Sequence, residues 1–190
     1  MLGLNKGNGL ITKFQLVLLV VWLSFTVLAF SYFIQGRLVN FDADHKLRDI
    51  EHQELAPHLI SFIEAAIPNI ADGENDVVDH SISNTIIHFS QPNCDCQQYS
   101  EAHIKDINQL ALNHNFAIKR VVMTKDNLIP ATPSVAIIDN SGDVIYFGPY
   151  GQGIACSQTS GYAQTMLNNY VQGYSANIVI KEAKGCYCAV

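Results

Sequence analysis

The sequence predicts an α/β protein in which a transmembrane helix and a membrane-proximal helix precede a globular domain. Three observations lead to this prediction. Residues 14–34 form an apolar run without a charge. From about residue 80, short apolar runs typical of buried strands alternate with segments of helical periodicity. The five cysteines form two Cys-x-Cys pairs and one isolated residue, a grouping that indicates thiol chemistry.

The apolar run is long enough to cross a bilayer, because its 21 residues span roughly 30 Å as a helix. A cleaved signal peptide is the alternative, but the run exceeds the usual apolar core of about 7–15 residues. Bulky residues at 32–34 also leave no small-residue cleavage site. We therefore predict an uncleaved single-pass anchor over 14–35, preceded by a cytoplasmic tail at 1–13.

Lysine and arginine residues lie on both sides of the anchor, so they barely discriminate between its two orientations. A short tail before a single span favours a cytoplasmic N-terminus. We therefore expect an inner-membrane protein whose globular domain lies in the periplasm of a Gram-negative bacterium, where disulfides persist. The formal net charge of -6 argues against nucleic acid as a partner.

Residues 36–79 are predicted to form a membrane-proximal helical segment and a linker. Apolar residues recur at helical spacing over 41–67, and Pro57 predicts a kink or a division into two shorter helices. The polar, acidic stretch 68–79 is typical of a linker. The histidines of this region are more typical of a solvated surface than of a metal site; they are His45, His52 and His58.

The globular domain is predicted to span 80–174, and a tail with the second Cys-x-Cys pair follows at 175–190. The local patterns predict a β-α-β unit, then a β-hairpin, then a helix. Asn93 is the expected N-cap of the first helix, and Gly173 is expected at the C-terminus of the last. The predicted strands are 84–90, 117–123, 134–139 and 144–147, and the predicted helices are 94–113 and 157–172.

This order, together with specific residues, resembles the thioredoxin fold. Cysteines follow the first strand at a helix start, and "IPATPSVAIID" resembles the family loop in which a cis-proline, here Pro133 after Thr132, precedes an antiparallel strand. "DNSGDVIYFGPYGQG" resembles the following hairpin of membrane-anchored periplasmic members. Residues 124–131 are too few for the family's second helix, so the expected fold is a reduced thioredoxin-like fold. The cysteine set also resembles an uncharacterised bacterial thioredoxin-like family with Cys-x-Cys motifs.

The spacing of Cys94 and Cys96 departs from the Cys-x-x-Cys of thioredoxins. Residues i and i+2 of a regular helix do not face each other, so a disulfide within this pair needs an irregular first turn. A thiol at a helix start is activated by the helix N-terminus, whereas the Asp95 carboxylate opposes a thiolate.

The other cysteines can reach the same edge of the sheet. Cys156 follows the last hairpin strand, which ends at that edge, although a buried structural thiol is an equal alternative. The stretch 177–182 alternates like an edge strand, and the extended tail is long enough to return Cys186 and Cys188 to Cys94. Each pair can bond internally, the pairs can exchange disulfides, or both can hold a metal.

Three functions follow, and whether the protein is an enzyme stays open. The resemblance implies thiol–disulfide exchange with protein partners and without a cofactor: Cys94 attacks, Cys96 or Cys156 resolves, and Pro133 shapes the substrate groove. The first alternative is that clustered thiolates bind soft Cu or Zn ions. His88 and His103 are possible additional ligands, but a structural role is more typical of such histidines. The second alternative is a non-catalytic binding module with structural disulfides. The metal-binding set would be Cys94, Cys96, Cys156, Cys186 and Cys188.

Overall fold

A computed structural model describes residues 12–35, 38–50, 52–66, 83–123, 128–153, 161–174 and 177–190. The chain forms two compact units, 1–37 and 38–190. The first contains helix α1 (Lys13–Gln35), which is long and apolar enough to cross a membrane. This helix confirms the predicted apolar helix, while its orientation in a membrane stays a prediction.

The second unit is a mixed α/β fold. Its helices are α2 (His52–Ala66), a 3₁₀ helix (Asp95–Tyr99), α3 (Glu101–Asn113) and α4 (Tyr162–Val171). Its strands are β1 (Val39–Asn40), β2 (Thr85–Ser90), β3 (Ala117–Val122), β4 (Ala131–Thr132), β5 (Ser134–Ile138), β6 (Val144–Pro149), β7 (Ile178–Val179), β8 (Lys184–Gly185) and β9 (Cys188–Ala189).

Five strands form one mixed sheet in the order β3-β2-β5-β6-β7. β2 pairs with β3 in parallel and with β5 antiparallel; β5 and β6 form an antiparallel hairpin, and β7 adds in parallel to β6. Two short antiparallel pairs, β1–β8 and β4–β9, lie outside this sheet. The C-terminal residues therefore contribute to all three sheets.

Apolar side chains cover both faces of the sheet, which explains why β2 has apolar residues at consecutive positions instead of a strict alternation. Ile87 and Phe89 face a core that includes α2 and the C-terminal segment, whereas Ile86 faces a second core with α3 and α4. Adjacent residues of a strand point to opposite faces, so one short strand contributes to both cores.

Strands β2, β3, β5 and β6 and the hairpin turn confirm the sequence predictions to within two residues, whereas β7 is shorter than the edge strand expected over 177–182. In the turn, Asp139 Oδ1 accepts hydrogen bonds from the backbone N–H groups of Ser141 and Asp143, at 2.8 and 2.9 Å. Gly142 has φ +85°, which glycine adopts without steric cost. The final helix is present from Tyr162, and the start predicted at 157 lies outside the described residues.

The membrane-proximal helix is shorter than the predicted helical face and is not divided at Pro57. Residues 41–50 form turns, because the carboxylate of Asp42 accepts bonds from the backbone of Lys46 and Leu47 at 2.7 and 3.0 Å. α2 then runs through Pro57 as one helix. Proline removes only one backbone donor, and the buried face around Leu59 stabilises the helix.

The start of the cysteine-bearing helix also differs from the prediction. Residues 95–99 form a 3₁₀ helix, and α3 begins only at Glu101. Asn93 is not the N-cap: it has φ +63°, a left-handed conformation that asparagine tolerates. Cys94 takes the N-cap position, so the first turn is irregular where the two cysteines lie.

Candidate disulfide site

The first pair of cysteines is placed by strand β2, of which five of the six residues are buried. β2 ends at Ser90, and a short loop leads to Cys94 in an extended conformation. The carbonyl of Cys94 accepts a bond from the backbone N–H of Gln97 at 3.1 Å, which starts the 3₁₀ helix. Cys94 and Cys96 are each 9% exposed. The core of the protein therefore fixes both sulfur atoms.

Two disulfides join this pair to the C-terminal pair. Cys94 is bonded to Cys188, and Cys96 to Cys186. The Cα atoms lie 5.9 and 5.4 Å apart, within the ordinary range for a disulfide. The sequence left open whether each Cys-x-Cys pair bonds internally or to the other pair, and in the structure the bonds join one pair to the other. Cys156 lies outside the described residues.

The C-terminal strand β9 lies against the segment that precedes Pro133. Cys188 pairs with Thr132 in the antiparallel β4–β9 ladder. The backbone N–H of Val190 donates to the carbonyl of Pro130 at 3.2 Å. Cys94 Sγ lies 3.7 Å from the carbonyl oxygen of Thr132, and the Thr132–Pro133 bond is cis, as predicted. Pro133 is therefore adjacent to the disulfides.

Two hydroxyl groups flank this proline without satisfying their hydrogen-bonding capacity. Thr132 and Ser134 are fully buried, and within the described part of the chain neither hydroxyl oxygen has a hydrogen-bond partner. Buried polar groups without partners destabilise a fold, so they often mark sites where function outweighs stability.

Tyr187, between the two C-terminal cysteines, is a site residue that the sequence analysis missed. Its hydroxyl donates to the carbonyl of Gly151 at 2.6 Å, and its ring meets Phe41 edge-on with centroids 5.6 Å apart. A Cβ on Gly185 would lie 2.5 Å from Tyr187 Cζ, so this glycine makes room for the ring. The aromatic residue within "GCYC" was the only signal available, and it is a weak one.

Three sulfur atoms form a compact cluster. The Sγ atoms of Cys94, Cys96 and Cys188 all lie within 4.8 Å of one another. Over the described ranges, this is the one group of three or more histidine, cysteine or carboxylate side chains close enough to share a metal ion. No histidine belongs to it.

His88 and His103 are buried inside the fold. His88 Nε2 lies 2.8 Å from Asn108 Oδ1 and therefore carries the proton, so Nδ1 accepts from the hydroxyl of Tyr150 at 2.5 Å. Burial is the main cause that lowers the pKa of His88; Arg120 lowers it further, while Asn108 and Glu101 oppose the shift. This arrangement suits a neutral structural imidazole.

Fold and site together define a class: a mixed α/β protein, preceded by an apolar helix, whose C-terminal strand is held to a helix start by two disulfides. Such bonds indicate an oxidising compartment. Residues 64–190, about two thirds of the chain, match the model of the family described as a domain of unknown function, DUF6436, and the chain belongs to that family. Comparison with curated proteins and with solved structures found no match.

Proposed function

We propose that this protein carries out thiol–disulfide exchange with partner proteins, through the four cysteines of the disulfide site. One observation carries the proposal: Cys96 Sγ lies within 4.8 Å of both sulfur atoms of the neighbouring Cys94–Cys188 bond. A thiolate released at Cys96 is therefore already beside a disulfide that it can attack. Thiolate attack on a disulfide sulfur is the elementary step of such exchange.

The exchange begins at the more accessible side of the site, since Cys186 is partly exposed. A partner thiolate attacks Cys186 Sγ; a partner–Cys186 bond forms, the Cys96–Cys186 bond breaks, and the electron pair leaves on Cys96. The Cys96 thiolate then attacks Cys188 Sγ, forming Cys96–Cys188 and leaving the pair on Cys94, which takes up the proton that the partner thiol gave up. A second partner thiolate displaces Cys186, so the partner gains one disulfide as this chain loses one.

The irregular start of the cysteine-bearing helix supports Cys94 as the leaving group of the second exchange step and as the thiolate that later forms the bond again. A Cys94 thiol lies near a helix start and within 3.7 Å of a carbonyl that can accept its proton in a weak hydrogen bond. Cys156 remains the alternative resolving residue that the sequence suggested.

The proposal includes a thioredoxin-like fold anchored in the inner membrane, with the site in the periplasm. The order β2-α3-β3 followed by the β5–β6 hairpin and α4 supports the fold assignment. The apolar helix α1 and the two disulfides support the location.

The test uses the full chain in detergent micelles. One equivalent of dithiothreitol opens one disulfide; free thiols are then alkylated in acid and the remaining bonds mapped by mass spectrometry. We expect rearranged bonds, Cys96–Cys188 or Cys94–Cys96, and their loss in Cys96→Ser. The untreated chain, with both disulfides intact, should introduce disulfides into reduced ribonuclease. Cys156→Ser removes the alternative resolving residue, and unchanged rearrangement in that variant would leave Cys96 as the attacking group.

Native bonds alone at every stage of reduction, with no transfer to ribonuclease, would mean that both disulfides are structural. That outcome would favour the binding-module alternative and end the exchange proposal.

The sulfur cluster also favours a second candidate function, binding of a soft ion by the reduced site. Thiolates suit Cu(I) and Zn(II), and reduction of the Cys94–Cys188 bond would release thiolates within a cluster whose three Sγ atoms lie within 4.8 Å of one another. In the reduced chain, one equivalent of Zn(II) or Cu(I) should protect the site thiols from alkylation, and Cys96→Ser should remove the protection. Full alkylation in the presence of either ion would exclude this function.

A further inference from the structure

The C-terminal segment Cys186–Val190 fills a groove whose walls belong to other parts of the fold. One wall is the backbone of β4, which pairs with β9. A second is the pocket that receives the Tyr187 ring, formed with Phe41 and the carbonyl of Gly151. The third is the pair of sulfur atoms of Cys94 and Cys96, to which the segment is bonded.

Each of the three walls is complementary to a different property of the segment. Backbone pairing requires an extended strand, antiparallel to β4. The pocket requires a large aromatic side chain whose polar tip can reach a carbonyl. The two sulfur atoms require cysteines on either side of that aromatic residue. The groove therefore has the features of a peptide-binding site, with backbone bonds for affinity and alternate side chains for specificity.

The segment itself is lightly held apart from its covalent bonds. Its strand has two residues, Ala189 is exposed, and both cysteines are partly exposed. The groove side is rigid by comparison, since Ala131 and Thr132 are buried. Opening the two disulfides leaves Tyr187, a few backbone bonds and the Lys46 ammonium, which donates to the carbonyl of Val190 at 2.7 Å, to keep the segment in place.

We propose that this groove binds an extended segment of a partner protein that carries cysteine, an aromatic residue and cysteine in succession, in exchange for Cys186–Val190. The inference rests on the proposed function and names its substrate class. The chain's own C-terminal segment is the occupant when no such partner is bound.

The exchange needs no external oxidant or reductant. A reduced partner segment brings two thiols and the chain holds two disulfides. Each partner thiolate attacks the partly exposed Cys186 or Cys188 sulfur and releases Cys96 or Cys94 as a thiolate. That thiolate then attacks the partner sulfur of the mixed disulfide, so the electron pair leaves on Cys186 or Cys188, which takes up the proton of the incoming thiol. Two disulfides and two thiols are present before and after.

The structure favours a partner protein over the C-terminal segment of a second copy. Immediately before Cys186, β8 is paired with β1, and the backbone N–H of Phe41 donates to the carbonyl of Ala183 at 2.8 Å. A copy that lends its segment to a neighbour would have to break these contacts in its own fold. A partner segment needs to displace only five residues.

The experiment uses the full chain in micelles, with Cys156→Ser, Cys186→Ser and Cys188→Ser so that only Cys94 and Cys96 can react. The probes are a peptide GCYCAV and its Tyr→Ala counterpart GCACAV, both activated on each cysteine as thionitrobenzoate mixed disulfides. Release of thionitrobenzoate gives the rate. We expect GCYCAV to react about tenfold faster or more, and N-methylation of its valine, which removes the donor to Pro130, to slow it.

Equal rates for all peptides would show that the groove does not recognise the peptide, and would overturn the proposal while leaving thiol exchange intact. No reaction with any peptide would instead remove the exchange chemistry itself, so the two failures are distinguishable.

A second experiment tests the proposal if the serine variant does not fold. The chain with only Cys156→Ser is mixed with reduced GCYCAV, and alkylation should find Cys186 and Cys188 free and the peptide bonded to Cys94 and Cys96. Disulfide-linked dimers in place of peptide adducts would assign the groove to a second copy and overturn the proposal as stated.

Discussion

The two halves of the disulfide site are built differently. Cys94 and Cys96 are nearly buried and follow a six-residue strand that contributes to both hydrophobic cores. Cys186 and Cys188 are partly exposed and lie beside strands of two residues. The difference shows which half sets the geometry: the core half holds its sulfur atoms in place, and the C-terminal half can be exchanged.

Removing both disulfides should have the largest effect on stability, and it tests this difference between the two halves of the site. Cys186→Ser with Cys188→Ser opens loops closed over sequence separations of 94 and 90 residues, and we expect a loss of more than about 4 kcal/mol of unfolding free energy. Denaturant unfolding in micelles measures it. Hydrogen exchange should rise around β9 but not in β2, and a rise in both would contradict the contrast.

Truncating the aromatic anchor should have the next largest effect. Tyr187→Ala removes a nearly buried ring and its bond to Gly151, at a cost of about 3 kcal/mol. Tyr174→Ala is the matched control, because Tyr174 is 68% exposed. Equal losses of unfolding free energy in the two variants would show that the pocket does not hold the segment.

Removing a single disulfide should cost less than half as much as removing both. If Cys96 and Cys186 become serine, Cys94–Cys188 still closes the long loop, and only a short loop is lost, worth about 2 kcal/mol. The reciprocal pair, Cys94→Ser with Cys188→Ser, should give a similar value. Two single losses that sum to the double loss would mean that the bonds act independently.

The smallest effect is expected in the core, at His88. Its folded-state pKa is lowered, chiefly by burial, so the unfolded chain binds the proton more readily. The neutral His88 side chain contributes fully to the unfolding free energy above the ordinary histidine pKa of about 6.5. As the pH falls from there toward the lowered pKa, this contribution declines by at most about 1.4 kcal/mol per pH unit. His88→Gln should flatten the plot of unfolding free energy against pH on the acid side of about 6.5.

The same contrast explains what the sequence could predict. Strands β2, β3, β5 and β6 carry local patterns: apolar runs, and a turn that Asp139 and Gly142 dictate through side-chain bonding and a left-handed φ. The cis bond before Pro133 was also predictable, from the resemblance of the surrounding loop.

The C-terminal half of the site was not predictable in its pairing. Two Cys-x-Cys pairs allow internal bonds or either of two cross-pairings, and spacing does not choose among them. β9 has two residues, too few for a periodic signal, and its partner Thr132 lies far away in sequence. The 3₁₀ start of the helix also depends on contacts that local propensity does not contain.

The long sequence separation of the two disulfides has a consequence for how the protein is made. Cys94 and Cys96 emerge from the ribosome about 90 residues before their partners, a delay of roughly 5–20 s at ordinary elongation rates. During that interval, an oxidising compartment offers them each other, Cys156 once it has emerged, or a foreign thiol. Maturation of this protein therefore needs either a catalyst that reshuffles an early bond or a nascent chain that keeps Cys94 and Cys96 reduced until Cys186 and Cys188 emerge.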